Sequence, residues 1–341
     1  MATRRGSYTL FMDKPPRLLS WSAVGGAMEG QGPCGGGFDL IDEDSYFGEA
    51  SWEKAESKMQ KEAVSRAIEK AGLKTDDIQV LFAGDLLNQC ISSTYGLRDF
   101  AIPFLGLYGA CSTMAESLLC AALFVEAGFG ERTCAVTSSH FCSAERHFRF
   151  PLEYGSQRPP SAQWTATASG SVVVGCSGDT ASAEHTPVVK AVTIGTIKDM
   201  GITDANNMGA AMAPAAAETI GRFFADTAMS PKDFDLIITG DLGAVGSALL
   251  IDLMAKDNLL ISELHRDCGL LLYDREEQNV DAGGSGCGCS ASVLCAKLLP
   301  EIQRGVLHNI LFVATGALMS TTALQQGESI PGIAHLLWIG G

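Results

Sequence analysis

Two stretches of this chain repeat one another. DIQVLFAGDLLNQ, Asp77 to Gln89, and DFDLIITGDLGAV, Asp233 to Val245, each run an Asp, a short apolar strand and a Gly-Asp-Leu turn. Each follows an amphipathic helical pattern. In the first half Trp52, Ala55, Met59, Ala63 and Ala67 recur at helical spacing, and APAAAETIGRFFADTAMS does the same in the second. The echo continues downstream. GACSTMAESLLCAALFVEAGFGERTCAVTSSH, from Gly109, is matched by GGSGCGCSASVLCAKLLPEIQRGVLHNILFVATGA, from Gly283. In both, a Gly/Cys/Ser-rich turn leads into an Ala-rich helix holding Leu-Cys-Ala, and then into a buried strand. A repeat of this length confines the chain to a duplicated α/β architecture, with strands alternating with helices and two halves related by a pseudo-twofold axis. The halves are expected at residues 1–186 and 187–341, with PVVKAVTIG opening the second.

The Ala-rich helices carry few charges, so they are expected to be buried on most sides. A five-layer α-β-α-β-α stack, with such helices between two sheets, accounts for them. A chain of 341 residues that is 46% hydrophobic can fill a core of this size. Its formal net charge of −15 argues against nucleic acid as a partner and gives no electrostatic reason to lie on anionic lipid. The N-terminal MATRRGSYTLFMDKPP breaks at Asp13 and Pro15 before an apolar run forms, and no stretch approaches a membrane span. These features predict a soluble protein made in the cytosol. The cysteines are odd in number and irregular in spacing, which predicts reduced core thiols rather than a disulfide framework.

Cys111 is the first residue that can carry chemistry. IPFLGL, Ile102 to Leu107, reads as a strand, and a helix is predicted to start near Ser112 or Thr113. At such a strand-to-helix turn the helix dipole and free N–H groups lower a thiol pKa and cradle an anion. The competing reading is a small buried residue in a tight turn. Among the histidines, His140 closes the strand CAVTSSH and is best placed to face a crevice at strand C-termini. His335, in SIPGIAHLLWI, is expected in the core. Asp85 and Asp241 close matching strands; each is either a turn former or a crevice residue. Asn88 follows Asp85 as a hydrogen-bonding group. AERHFRFPLEYGSQRPP, Ala144 to Pro160, reads as a basic, aromatic loop whose Arg146, Arg149, Tyr154 and Arg158 are candidates to clamp a small anion. Its other reading is a solvated or dimer-contact loop. GGSGCGCSA lacks the further ligands of a metal centre and the Lys of a phosphate loop, so a tight turn mirroring that of Cys111 is expected.

The duplicated halves and the Gly-Ala-Cys-Ser-Thr turn resemble the thiolase superfamily of thiolases and ketoacyl synthases over nearly the whole chain. Within it, LFAGDLLNQ, LYGACSTMAESL, SSHFCSAERHFRFPLEYG, MGITDANNMGAAMAPAAAETI, ITGDLGAVGS, HRDCGLLLYD and AGGSGCGCSA resemble the stage V sporulation protein AD (SpoVAD) family. The resemblance implies a thiolase-like fold. It also implies binding of dipicolinic acid and its loading into the developing spore, with a link to germination. The protein would act as a soluble component of a complex with membrane-embedded SpoVA partners at the spore inner membrane, and a homodimer is expected. Cys111 matches the acyl-accepting cysteine of the superfamily. The His and Asn partners expected from the second half are replaced, by Asp241 in TGDLG and by GGSGCGCSA, which holds neither. A non-catalytic crevice is therefore expected, with Cys111, His140, Asp85, Asn88, Arg146, Arg149 and Asp241 as its binding residues. No resident cofactor is expected. Asp85 and Asp241 beside an anion make sense if calcium accompanies it, since calcium prefers oxygen ligands, or if they orient donors. The rivals are an active acyltransferase using Cys111 with His140 or His335 as base, and an assembly protein with a vestigial crevice.

Overall fold

The computed structural model of the chain describes residues 2–148, 158–179 and 185–341. The first half contributes strands β1 (Arg17–Gly26), β2 (Val80–Gly84), β3 (Phe104–Leu107), β4 (Arg132–Ser139) and β5 (Ala168–Gly175), with helices α1 (Trp52–Lys70), α2 (Thr113–Glu126) and α3 (Phe141–Phe148). The second contributes β6 (Val188–Thr193), β7 (Leu236–Thr239), β8 (His265–Asp267), β9 (Asn309–Ala317) and β10 (Gly332–Gly340), with α4 (Met208–Thr227), α5 (Gly243–Lys256) and α6 (Cys287–Val293).

The strands run in the order β8-β7-β9-β10-β6-β1-β5-β4-β2-β3. Read from its outer edge, each half lays down its third, second, fourth, fifth and first strand, so the duplication heard in the sequence is a duplication of topology. In each half the second strand is parallel to the third and fourth, and the fifth is antiparallel to its neighbours. The halves meet where β6 lies antiparallel to β1, Val188 opposite Arg17.

Strand alternation assigns the layers. In β2, Phe82 joins the central core while Leu81 and Ala83 face outward to Val64, Ala67 and Ile68 of α1. In β9, Ile310, Phe312 and Ala314 face the same central core, while Leu311 and Val313 pack on Met212, Ile220 and Phe223 of α4. The central core is filled by Met114, Ala115, Leu118 and Ala122 of α2 and by Ala291 and Val293 of α6. Their small side chains let two helices lie between two sheet halves. The order is thus α1, sheet, α2 with α6, sheet, α4: the expected five layers.

Two local readings differ. β3 begins at Phe104 rather than Ile102, because Pro103 precedes it and has no N–H to give a ladder. The segment read as a loop from Ala144 begins as helix, α3, which starts at Phe141. All eleven cysteines are free thiols, most of them buried. Among the described residues, no helix is long and apolar enough to cross a membrane.

Candidate functional site

β3 delivers the chain to Cys111 through a strained turn. Ala110 has φ +52°, in the left-handed region that a residue with a Cβ rarely adopts. Side-chain bonds tie the turn: Ser112 Oγ donates to Gly109 O at 2.6 Å and Thr113 Oγ1 to Ala110 O at 2.6 Å. β9 presses on it from the other half. A Cβ on Gly316 would lie 2.6 Å from Gly109 O and 3.0 Å from Ser112 N, so only glycine fits there. Cys111 therefore precedes α2 at its N-terminus, as expected, held by both halves.

A cavity of about 430 Å³ opens in front of Cys111. Ala110, Cys111 and Ser285 line it, with Leu86, Asn88 and Tyr108 and with His147 and Phe148 of α3. Met208 and the stretch 317–322 complete it, with Ser320, Thr321 and Thr322 supplying hydroxyls. Asn88 is presented by a taut loop in which the next two residues, Gln89 and Cys90, have φ of +62° and +53°. Tyr108 Oη donates to Leu86 O at 3.3 Å. His147 is the lining group that can carry positive charge among the described residues. Burial and the adjacent Arg146 hold its pKa down, against the pull of Asp85.

Behind Cys111 sits a buried carboxylate. Asp241, just past β7, accepts hydrogen bonds from Ser285 Oγ at 3.0 Å, Gly286 N at 3.0 Å and Thr315 Oγ1 at 2.8 Å. Ser285 Oγ also lies 3.8 Å from Cys111 Sγ, and the thiol is itself a hydrogen-bond partner of Asp241. Burial raises the pKa of Asp241; a hydrogen bond from the Cys111 thiol counters it first, followed by those from Gly286, Thr315 and Ser285. The Cys111 thiol is pushed well above its ordinary value, first by burial and then by the Asp241 carboxylate. Among the described residues, no imidazole is hydrogen-bonded to Cys111. Such a thiol is a poor nucleophile, because the thiolate is the reactive form.

The structure brings Cys111 and Asn88 to the cavity and sets Asp241 immediately behind it. It places the other expected residues elsewhere. Asp85 is buried and serves its own loop, accepting from Leu87 N at 2.9 Å, Ser93 N at 2.8 Å and Ser93 Oγ at 2.6 Å. His140 is buried, with Nε2–H donating to Ser45 O at 2.7 Å and Nδ1 accepting from Cys142 N at 3.2 Å. His335 lies in β10, where Nδ1 accepts from Gly195 N at 3.2 Å and burial lowers its pKa to about 4. Arg146 pairs with Glu53 and lies over the Trp52 ring. Arg158 pairs with Glu145 and lies against the stacked Phe141 and Trp164 rings. Arg149 and Tyr154 lie outside the described residues. Sequence reasoning missed His147, Ser285 and Thr315. The signal for His147 was helical periodicity across Phe141–Phe148. Ser285 sat within the Gly-rich turn already singled out. Among the described residues there is no cluster of three or more His, Cys, Asp or Glu able to hold a metal ion.

Known structures share this architecture. OleA from Xanthomonas campestris, in a crystal structure with cerulenin bound, superposes with a TM-score of 0.63, covering 99% of this chain and 100% of that one at 11% identity. 3-Oxoacyl-[acyl-carrier-protein] synthase III from Aquifex aeolicus gives a TM-score of 0.57 over 96% of this chain and all of that one, also at 11% identity. At these identities the likeness is one of fold, and the fold is thiolase-like. In sequence, the stage V sporulation protein AD of Bacillus subtilis (strain 168) is 44% identical over 333 residues, 97% of this chain and 96% of that protein. The family model described as stage V sporulation protein AD (SpoVAD) matches residues 6–340. The chain belongs to the stage V sporulation protein AD family.

Proposed function

We propose that the cavity in front of Cys111 binds dipicolinate, pyridine-2,6-dicarboxylate, for loading into the developing spore, and that it performs no acyl transfer. One observation carries this reading. The thiol at the nucleophile position faces a cavity of small-molecule size but is backed by a buried carboxylate rather than an imidazole. Acyl transfer needs a thiolate, a base to make it and donors for the oxyanion. Binding needs only a snug slot with converging donors. Dipicolinate is flat, with apolar ring faces and two carboxylates flanking a nitrogen. Leu86, Phe148, Met208 and Met319 offer apolar wall, and Asn88, Ser285 and His147 offer polar groups. Calcium travelling with the ligand adds positive charge to the little that His147 can carry among the described walls.

The same reading sets the protein on the spore inner membrane beside membrane-embedded SpoVA partners, paired with a second copy of itself. The edge strand β3 supports the pairing. Leu105 and Tyr108 are half exposed there, and exposed Phe129 packs on Phe124, which packs on Phe82 of the neighbouring strand, an apolar edge of the kind that pairs.

The test is calorimetric titration of the purified chain with dipicolinate, with and without calcium, using benzoate and an acyl-CoA as controls. Saturable heat with dipicolinate and none with benzoate is the expected result. No heat with dipicolinate, together with an acyl adduct on Cys111 from the acyl-CoA, would overturn the reading.

A further inference from the structure

We propose that Asp241 silences this cavity, holding Cys111 as a neutral thiol, so that exchanging this one carboxylate for an amide makes Cys111 nucleophilic. The inference rests on reading the cavity as a non-catalytic one and names the residue responsible.

The geometry is specific. Asp241 is fully buried, and three donors fix both its oxygens: Ser285 Oγ and Gly286 N on Oδ2, each at 3.0 Å, and Thr315 Oγ1 on Oδ1 at 2.8 Å. They come from two separate segments of the second half. Burial raises the Asp241 pKa, and the donors aimed at both oxygens oppose that rise by favouring the ionised carboxylate. The Ser285 hydroxyl that donates to Asp241 is the atom 3.8 Å from Cys111 Sγ. A thiolate at Cys111 would thus lose the hydrogen bond that its thiol gives Asp241 and stand beside that buried carboxylate. The position before α2 favours a thiolate, and Asp241 opposes it. The other titratable groups near Cys111 add no nearby cation to reverse this. Cys287 of α6 is itself a buried neutral thiol, Tyr108 is a neutral phenol, and His147 lies on the cavity wall with its pKa held down.

Asp241→Asn is a clean probe. The amide keeps the shape. Its oxygen can accept from Ser285 and Gly286, and the Thr315 hydroxyl can turn to accept from its nitrogen. Only the charge is lost. Iodoacetamide reads the outcome: Cys111 Sγ forms a bond to the reagent carbon as the carbon–iodine bond breaks, iodide leaves, and the thiol proton passes to solvent. Below the pKa, each unit of lowering raises the thiolate fraction about tenfold.

The rate of Cys111 alkylation is followed by peptide mass spectrometry across the pH range, in wild type and in Asp241→Asn. The variant is expected to react at least about tenfold faster near neutrality, with its apparent pKa moved down by about one unit or more. The wild-type profile is expected to rise only above the ordinary thiol range of about 8.5. Equal rates in a folded variant would overturn the proposal. So would a wild-type Cys111 that titrates at or below about 8.5, a result that needs no variant to fold. Failure of dipicolinate to bind leaves this readout untouched, so the two proposals fail separately.

Discussion

Asp85 and Asp241 come from the same Gly-Asp-Leu turn at the same point of the two halves, yet they are spent differently. Asp85 takes its hydrogen bonds from Leu87 and Ser93, two and eight residues away. It shapes its own loop and so presents Leu86 and Asn88 to the cavity. Asp241 takes its bonds from Ser285, Gly286 and Thr315, 44 to 74 residues away. It ties separate segments together behind Cys111. Duplication placed two identical carboxylates; their partners made one a turn former and the other a junction. A strand-end motif therefore locates a residue without saying what it does.

The widest separation between them is expected on truncation. Asp241→Ala leaves two hydroxyls and an N–H buried without an acceptor and should cost about 3 kcal/mol or more. Asp85→Ala also leaves three donors, but all belong to its own loop, which can re-satisfy them, and it should cost about 1–2 kcal/mol. Urea unfolding of the two variants measures the gap, and equal costs would erase the distinction. Next in size is Gly316→Ala. Its methyl would meet the backbone of the Cys111 turn from the opposite half, at an expected cost of about 1–3 kcal/mol and with weaker ligand binding. An unchanged denaturation midpoint would mean that β9 does not support the turn.

The third prediction uses the neighbour that only Asp85 has. Glu56 of α1 is buried beside it, accepting from Ser138 Oγ at 3.0 Å and Ser143 Oγ at 2.7 Å. Burial, and then Asp85, raise the Glu56 pKa from 4.5 to about 8. The folded state holds this proton more tightly than the unfolded chain does. Its contribution to stability is therefore full below the unfolded value of 4.5 and is lost as pH rises through about 8. Asp267, also buried and raised to about 7, adds a loss in the same direction. Glu56→Gln should flatten the fall in melting temperature on the alkaline side; an unaltered slope would show that Glu56 does not titrate there. The smallest effect is expected from Arg146→Ala. Its pairing with Glu53 and the Trp52 ring is a surface contact, worth under about 1 kcal/mol, and its loss should leave dipicolinate binding unchanged. Weakened binding would put Arg146 in the cavity after all.

What could be read from the sequence followed range. The helical stripe of α1, the Gly-Asp-Leu repeat and the Cys111 turn are local patterns, and each emerged where spacing placed it. The five layers followed because Ala-rich, charge-poor helices have nowhere else to go. The Asp241 junction was illegible because its partners lie 44 residues and more along the chain. His147 was passed over because AERHFRF was read as a loop clamp of arginines. On a helix, successive residues point about 100° apart. Arg146 can then face Glu53 of α1 while His147 faces the cavity. His140 was judged by topology as a crevice residue, but a strand-end side chain can equally be drawn to a nearby carbonyl, here Ser45 O.

The proposed occupant of the cavity in front of Cys111 is dipicolinate. Ala317 lines that cavity at the end of β9, so Ala317→Phe sets a ring inside it. Calorimetric titration of dipicolinate into wild type and into this variant, with circular dichroism confirming the fold of each, tests the claim most directly. Saturable heat in wild type that weakens at least about tenfold in the variant is the predicted result, since each tenfold loss is about 1.4 kcal/mol of binding. Equal affinity in the two proteins would place the ligand elsewhere and contradict the account.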